Sequence, residues 1–230
     1  MNKLSIIEYC DRELKSNKDR VIKELNYIRD NMLGRPCYSP KLNTGKSSSF
    51  LIFLLKEFFD YSDKTFDSYL EIGCLYGGSL CALAHSGFDG VAYGCDIFEG
   101  YYGKFNDPDY PADSDKNSKG HMKIVYDNVK KFSELIEINL IKGDSLDENF
   151  KIDTEIKDLC VLYIDGLHTE EGCSSDWKLY NKFVKKGGLI LVDNFEMIGV
   201  RDSINKVIKP SGLVEELGVW NNSTWIAIKK

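Results

Sequence analysis

The sequence predicts an α/β fold: a doubly wound, mostly parallel sheet with helices on both faces. From residue 68 onward, short apolar runs alternate with helical stretches, which is typical of parallel strands buried on both sides. A polar or acidic residue follows nearly every run, at the end of the sheet where ligands bind. The last two runs are separated by Asn221-Asn222, which favours a hairpin and therefore an antiparallel C-terminal strand.

Residues 1–62 are predicted to form an N-terminal helical cap on a core of residues 63–230, within a single domain. Apolar residues at helical intervals indicate one or two amphipathic helices over residues 3–32. The serines at 47–49 offer caps for a further helix over residues 50–61. This portion has too few apolar positions for a core of its own.

The elements of the core follow in chain order. Strands are expected at Tyr69–Ile72, Val91–Cys95, Leu135–Ile141, Leu159–Ile164 and Leu189–Val192, then at Gly212–Trp220 and Ser223–Ile228. Helices are expected at Gly78–Ser86 and Glu170–Lys185. Residues 99–120 lack strong periodicity, so we predict a long loop at the same end of the sheet as the acidic turns.

Composition and charge exclude several classes of protein. The 230 residues carry a net charge of −6 without a Lys/Arg block, which argues against nucleic acid binding. No apolar run approaches the roughly 20 residues of a membrane span. Acidic residues interrupt the start of the chain, where a signal peptide needs an apolar core. The seven cysteines include no Cys-x-x-Cys pair, so we expect buried reduced thiols in a cytoplasmic protein.

Residues 69–80 predict a buried strand, a glycine turn and a helix. Gly73 and Gly77 let the backbone turn sharply and approach a ligand closely. Ser79 lies at the start of the helix, where backbone N–H groups are free. Glu71 lies among apolar neighbours, where a carboxylate without a partner is costly. We therefore predict that this turn holds a nucleotide-like cofactor.

Acidic residues at other strand ends extend this predicted site. Asp96 follows Gly73 by 23 residues at the end of the second strand, where a carboxylate can accept both hydroxyls of a ribose. A helix cap is the alternative there. Asp144 and Ser145 follow the third strand, within reach of an adenine. These two residues also fit a plain cap for residues 145–150, and the sequence leaves both interpretations open.

The spacing Glu-x-Gly-x-x-x-Gly, followed by an acidic residue that ends the second strand, resembles the class I S-adenosylmethionine-dependent methyltransferases. The Gly-x-Gly-x-x-Gly turn of nicotinamide-binding proteins is missing. In the family the more open turn accommodates a methionine moiety rather than a diphosphate. The resemblance implies a Rossmann-like sheet with S-adenosylmethionine bound by Glu71, Gly73, Gly77, Ser79, Asp96, Asp144 and Ser145.

Residues 163–168, 176–177 and 186–195 resemble the metal-dependent small-molecule O-methyltransferases. They are similar in particular to macrocin-type sugar O-methyltransferases and cephalosporin-hydroxylase-like proteins, and more distantly to catechol-type enzymes. The family's metal-binding positions are matched here by Asp165, Asp193 and Asn194. Two carboxylates and an amide oxygen are hard ligands suited to Mg²⁺. Two ordinary strand-end caps are the alternative.

His168 follows Asp165 by three residues, at a position where these families carry a basic residue or a histidine. An imidazole titrates near neutrality, so it can accept a hydroxyl proton as the catalytic base. The resemblance implies that Mg²⁺ orients an acceptor hydroxyl, which His168 deprotonates as its oxygen attacks the methyl carbon. Four aromatic residues of the long loop are predicted to close over the acceptor: Tyr101, Tyr102, Phe105 and Tyr110. A surface excursion without this role fits them equally.

We therefore predict an S-adenosylmethionine-dependent methyltransferase that O-methylates a hydroxyl of a small molecule, such as a sugar or glycoside, with Mg²⁺. One alternative is a non-catalytic domain that binds a nucleoside cofactor or a sugar. Another is a nicotinamide-dependent oxidoreductase, which the missing glycine pattern disfavours. The expected partner is a small hydroxylated acceptor, not nucleic acid or a membrane. The oligomeric state stays open, with a homo-oligomer as one option.

Overall fold

The computed structural model describes residues 4–33, 47–98, 118–152, 155–156 and 158–230. The strands are β1 (Ser68–Ile72), β2 (Val91–Asp96), β3 (Glu137–Lys142), β4 (Leu159–Ile164), β5 (Val184–Val192), β6 (Val214–Trp220) and β7 (Thr224–Lys229). The helices are α1 (Ile6–Ser16), α2 (Lys18–Asn31), α3 (Ser48–Tyr61), α4 (Gly78–His85), α5 (Ser118–Phe132), α6 (Glu170–Tyr180) and α7 (Ile198–Ser203).

The seven strands form one sheet in the order β3-β2-β1-β4-β5-β7-β6. Strands β1 to β5 run parallel, and β7 pairs antiparallel with both β5 and β6. The predicted mixed sheet and its antiparallel C-terminal end are therefore confirmed. The strand order reverses between β1 and β4, which is where open parallel sheets bind their ligands.

The sheet is buried on both faces because its central strands are apolar at almost every position. Tyr69 and Tyr163 lie in a hydrophobic cluster with residues of helices α1 to α5. Leu70 and Leu162 lie in a second cluster with residues of α6 and α7. Neighbouring residues of one strand belong to different clusters because successive side chains point to opposite faces of the sheet. The N-terminal helices thus share a core with the sheet.

Local caps explain where the N-terminal helices begin. Ser5 and Glu8 form a reciprocal capping box at the start of α1. The hydroxyl of Ser47 accepts the backbone N–H of Ser49 and caps α3. The predicted helices over residues 3–32 are confirmed as α1 and α2. The four aromatic residues predicted to form a lid, Tyr101, Tyr102, Phe105 and Tyr110, lie outside the described residues.

The prediction of a helix extending from Glu170 to Lys185 is wrong. Helix α6 ends at Tyr180, a short 3₁₀ turn follows, and β5 already begins at Val184. The side-chain amide of Asn181 donates to the carbonyl oxygen of Trp177 at 2.7 Å and closes the last helical turn. Val184 is buried opposite Leu159 of β4, so strand pairing replaces the helix there.

Two helices were not predicted, α5 and α7. Helix α5 begins at Ser118, so the predicted loop over residues 99–120 is too long by three residues. Strand β3 begins at Glu137 instead of Leu135, because residues 133–136 form the turn after α5 and leave Leu135 78% exposed. Helix α7 continues into a π-helical turn over residues 204–208. None of the helices in the described ranges has the length and apolar character required to cross a membrane.

Candidate active site

A glycine turn connects β1 to α4 at the point where the strand order reverses. Gly73 and Gly77 have φ angles of +82° and +81°, in the left-handed region that glycine adopts without strain. A Cβ atom at Gly73 would lie 2.1 Å from the carbonyl oxygen of Asp165. Gly73 is therefore required by its contact with the end of β4 as well as by its backbone conformation. This contact brings the predicted cofactor turn against the predicted metal-binding residues.

Asp96, the last residue of β2, accepts two backbone hydrogen bonds. Its Oδ2 accepts the N–H of Leu75 at 2.9 Å, and its Oδ1 accepts the N–H of Phe98 at 2.9 Å. Each carboxylate oxygen has a further lone pair, so contacts to ribose hydroxyls are compatible with both bonds. The structure thus brings Asp96 to the glycine turn, and its ribose role stays a prediction.

Glu71 and Ser79, both predicted to contact the cofactor, are hydrogen-bonded to each other. Glu71 is 2% exposed, and the hydroxyl of Tyr69 donates to its Oε2 at 3.2 Å. Burial, followed by the negative charge of Asp165, raises the pKa of Glu71 well above its ordinary value. Tyr69 and Ser79 are therefore the partners that make a carboxyl group tolerable at this position.

Asp144 and Ser145 follow β3, and Ser145 contacts α6. Oδ1 of Asp144 accepts the N–H of Leu146 at 2.9 Å, which is a local turn contact, and residues 145–150 form turns instead of a helix. The hydroxyl of Ser145 donates to Oδ1 of Asp176 at 2.5 Å. Burial raises the pKa of Asp176 to about 7, and the bond from Ser145 offsets part of that rise. Asp176 is thus a buried local partner that orients Ser145.

Asp165 and Asp193 follow the neighbouring strands β4 and β5, and their carboxylates converge on one hydroxyl. The hydroxyl oxygen of Tyr163 lies 3.1 Å from Oδ2 of Asp165 and 3.2 Å from Oδ2 of Asp193. A phenol carries one proton, so it donates to one carboxylate at a time. Ser223 and Thr224 donate to Oδ1 of Asp193, at 3.1 and 2.9 Å. The sequence analysis gave Tyr163 no role, although its position two residues before Asp165 places the two side chains on the same face.

His168 lies beside this acidic pair, as predicted. Its Nε2 is 3.2 Å from Oδ1 of Asp165. Burial lowers the pKa of His168, but the hydrogen bond and the charge of Asp165 outweigh this effect and raise it overall. Burial and the charge of Asp193 raise the pKa of Asp165 to about 6. The three side chains therefore form one interacting group of charges.

The donor atoms of this group fit a hard divalent cation. The carboxylates of Asp165 and Asp193 are close together, with Asp193 buried and Asp165 partly buried, so a cation between them would offset their repulsion. Asn194 follows directly, with φ +55°, a left-handed conformation that asparagine tolerates. Within the described ranges, no three His, Cys, Asp or Glu side chains come together as a metal-binding group. Mg²⁺ at these two carboxylates and the neighbouring amide is therefore carried forward as a proposal.

The structure also brings two residues of α5 to the glycine turn. Nε2 of His121 lies 3.0 Å from the carbonyl oxygen of Leu75, and Nδ2 of Asn128 lies 3.0 Å from that of Tyr76. Sequence reasoning assigned neither residue a role because it did not predict α5. The signal was the helical spacing of apolar residues after residue 120, beyond the end of the predicted loop.

Known proteins resemble this chain in sequence and in fold. A family model described as a methyltransferase domain matches residues 70–195. The uncharacterized protein R132 of Acanthamoeba polyphaga mimivirus is 28% identical over 193 residues, which cover 81% of this chain and 74% of that protein. The solved structure of the O-methyltransferase NovP matches with a TM-score of 0.60 at 16% identity, covering 98% of this chain and 100% of NovP. An O-methyltransferase from Bacillus cereus in complex with SAH matches with a TM-score of 0.53 at 19% identity, covering 99% and 98%.

The family match begins in β1 and ends just after Asn194, so it spans the glycine turn, Asp96, Asp165 and His168. It covers more than half of the chain, and the solved structures share its fold over nearly its whole length. The glycine turn, Asp96 and Asp165, on which the sequence resemblance rests, all lie at the ends of neighbouring parallel strands of this sheet. The chain therefore belongs to the methyltransferase-domain family and has the class I fold of S-adenosylmethionine-dependent methyltransferases.

Proposed function

We propose that this chain transfers the methyl group of S-adenosylmethionine to a hydroxyl of a small molecule, such as a sugar or glycoside, with Mg²⁺ beside the acceptor. The contact between Gly73 and Asp165 carries this proposal, because it joins the cofactor turn to the group of His168 and two carboxylates. A domain that only binds a nucleoside has no need for an imidazole and two convergent carboxylates next to the turn. NovP and the Bacillus cereus protein, which share the fold, are both O-methyltransferases by name.

Three regions of the site would share the work of binding the cofactor. Asp96 would accept the ribose hydroxyls with the lone pairs that Leu75 and Phe98 leave free. The turn between Gly73 and Gly77 would hold the methionine end, supported from behind by Glu71 and Ser79. Asp144 and Ser145 would face the adenine. Bound S-adenosylmethionine supplies an activated methyl group on a sulfonium, so alignment with the acceptor accounts for much of the acceleration.

Asp165, Asp193 and Asn194 would hold the metal ion. When bound there, Mg²⁺ lowers the pKa of a coordinated hydroxyl and fixes its direction. Tyr163 keeps the two carboxylates turned toward each other, since its hydroxyl is within 3.2 Å of both. Ser223 and Thr224 hold the far oxygen of Asp193, so this carboxylate has little freedom to rotate away.

His168 would accept the proton of the acceptor hydroxyl. An ionised carboxylate only accepts hydrogen bonds, so the Nε2 atom that faces Asp165 carries a proton. In a neutral imidazole this leaves Nδ1 as the proton acceptor. Asp165 thus selects the tautomer and orients the ring, while proton transfer takes place at Nδ1. Bound S-adenosylmethionine would supply the methyl group that the acceptor oxygen receives, and His168 would take the proton that this oxygen loses.

Titration calorimetry with S-adenosylmethionine tests the cofactor site. Wild type is expected to bind, and Asp96→Ala is expected to bind at least about tenfold more weakly, because hydrogen bonds to a charged group are lost. Asp96→Asn keeps an acceptor oxygen and is expected to fall between the two. Asp89→Ala is the matched control, since Asp89 is exposed near the opposite end of β2. Well-folded wild type that does not bind would overturn the proposal.

A methyl-transfer assay over a panel of hydroxylated small molecules, sugars included, tests the reaction. Activity is expected on at least one of them, and it is expected to fall when a chelator is added and to return with Mg²⁺. Asp193→Ala is expected to abolish the response to added Mg²⁺. If neither the chelator nor Asp193→Ala changes the activity, the proposed role of the metal is wrong, and the protein is a methyltransferase that does not need it.

A further inference from the structure

The glycine turn contains one residue in a conformation that it does not favour. Leu75 has φ +44°, in the left-handed region, between two glycines that adopt positive φ freely. A side chain there crowds the backbone, so such a residue persists only where its surroundings hold it in place. Leu75 is only half-buried, so packing of its own side chain does not account for the conformation.

Two side chains hold Leu75 from opposite sides. Its N–H donates to Oδ2 of Asp96 at 2.9 Å. Its carbonyl oxygen lies 3.0 Å from Nε2 of His121. A carbonyl oxygen can only accept, so Nε2 of His121 carries the proton and donates it. Both polar groups of the strained residue are therefore bonded to side chains from different parts of the chain.

The ring of His121 is itself immobilised by aromatic neighbours. The residue is 4% exposed. Its ring centroid lies 4.7 Å from that of Tyr76, the residue after Leu75. Phe98 meets the ring edge-on at 5.6 Å, and its backbone N–H donates to Asp96. The imidazole is thus wedged between the glycine turn and the end of β2.

Asn128 reinforces the turn from the same face of α5, seven residues further along. Its Nδ2 donates to the carbonyl oxygens of Tyr76 and Leu33, at 3.0 and 2.9 Å, and its Oδ1 accepts the N–H of Leu33 at 2.7 Å. The residue is fully buried. Consecutive carbonyl groups of the turn are therefore both bonded to α5 side chains, which determines how the two peptide planes are oriented.

We propose that His121 is a positioning residue of the cofactor site, acting through Leu75. Together with Asp96 it holds Leu75 in the left-handed conformation, and so keeps the turn and the Asp96 carboxylate in the arrangement that receives S-adenosylmethionine. Asp96 then has two roles, contact with the ribose and support of the turn. The inference rests on the proposed cofactor site.

Three variants separate this role from simple packing. His121→Phe keeps a ring between Tyr76 and Phe98 but lacks the Nε2 donor. His121→Gln keeps an N–H donor on a flexible side chain. Leu75→Gly removes the need for support, because glycine adopts a positive φ without help. His85→Phe is the control, since His85 packs against Tyr27 and Phe53 away from the turn.

Titration calorimetry of the full chain with S-adenosylmethionine is the test, with thermal unfolding to show that each variant is folded. We expect His121→Phe to weaken binding about tenfold, which is the scale of one hydrogen bond, and His121→Gln to stay within about threefold of wild type. His85→Phe is expected to bind like wild type. In a Leu75→Gly background, His121→Phe is expected to weaken the affinity for S-adenosylmethionine by less than about threefold, because the two changes act on one strained residue.

Two results would overturn the inference while wild type still binds. One is unchanged affinity in folded His121→Phe. The other is a loss that is just as large in the Leu75→Gly background, which would mean that His121 acts by packing and not through Leu75. Absence of binding by wild type is a different result, because it removes the proposed cofactor site and this inference with it.

Discussion

Gly73 and Asp165 meet at the ends of two neighbouring strands, so closely that a methyl group on Gly73 would lie 2.1 Å from the carbonyl oxygen of Asp165. The two residues directly follow β1 and β4, on either side of the point where the strand order reverses. One belongs to the turn predicted to hold the cofactor, and the other is a predicted metal ligand. Their contact sets the distance between the two halves of the site.

Gly73→Ala is expected to lower the free energy of unfolding by about 3 kcal/mol, since a left-handed alanine and an overlap with backbone atoms both cost energy. The affinity for S-adenosylmethionine should fall by at least about tenfold. Denaturant unfolding and calorimetry measure the two effects. The control is Gly87→Ala, with φ +90° and no atom within 4 Å of the added Cβ. Its free energy of unfolding should fall by only about 1 kcal/mol, and it should bind S-adenosylmethionine normally. Equal losses of stability and affinity in both variants would contradict a specific role for the contact.

Tyr163→Phe removes the hydroxyl shared by Asp165 and Asp193. The free energy of unfolding is expected to fall by about 1–3 kcal/mol, because buried acceptors lose their donor. The affinity for Mn²⁺, measured by calorimetry as a stand-in for Mg²⁺, is expected to fall about tenfold. Tyr69→Phe is the control, since Tyr69 donates to Glu71 on the same face of the sheet. If both variants bind Mn²⁺ like wild type, Tyr163 does not orient the carboxylates.

Asp176→Asn should change how stability depends on pH. The pKa of Asp176 is raised to about 7 by burial, whereas an unfolded aspartate titrates near its ordinary value of about 3.9. Between these values the folded state holds a proton that the unfolded state has lost, so the stability of wild type falls as pH rises. The asparagine side chain of the variant cannot titrate, and its amide oxygen still accepts the Ser145 hydroxyl.

Chemical denaturation at a series of pH values from 4 to 8 measures this difference. The stability of Asp176→Asn relative to wild type is expected to rise by up to roughly 4 kcal/mol between pH 4 and 7 and to level off above. Asp144 and His168 also influence Asp176, so Asp144→Asn serves as a control for an indirect effect. A relative stability that does not change with pH would show that Asp176 titrates normally.

His168→Gln is expected to reduce kcat by about 10²–10⁴-fold, the usual contribution of a general base. The affinity for S-adenosylmethionine should stay within about twofold of wild type, since the proposed role of the residue is toward the acceptor and not toward the cofactor. His85→Gln is the matched control, because His85 also pairs with a carboxylate, Glu24, but lies away from the site. The measurement is a methyl-transfer assay with an acceptor from the panel, and an unchanged kcat would exclude His168 as the base.

Local patterns were enough to predict the central strands and the C-terminal hairpin. Strand β4 has the predicted bounds, and β1 and β2 differ from theirs by a single residue at one end. Asn221 and Asn222 both have positive φ and form the predicted turn between β6 and β7. Each of these features depends on residues close together in the chain, such as a run of apolar side chains or a pair of turn-forming asparagines.

The elements that the sequence did not predict depend on distant partners. Helix α6 ends early because Val184 pairs with Leu159 of β4, 25 residues before it in the chain. The start of α5 was obscured by polar residues, although its later residues pack under the glycine turn. The same limit applies at the site. The turn contact of Asp144 is local and follows from the sequence, but no local pattern identifies Asp176 as the partner of Ser145.

By itself, the sequence determined the class of fold, the glycine turn and the edge of the sheet at which Asp96, Asp165 and Asp193 meet. These follow from periodicity, from the freedom of glycine and from the rule that parallel strands end at a common edge. Only the tertiary structure decided which partner each polar group finds: Tyr163 between two carboxylates, Ser79 on Glu71, and His121 on the strained Leu75. Those contacts join residues far apart in the chain or depend on burial, and their strength comes from the exclusion of water.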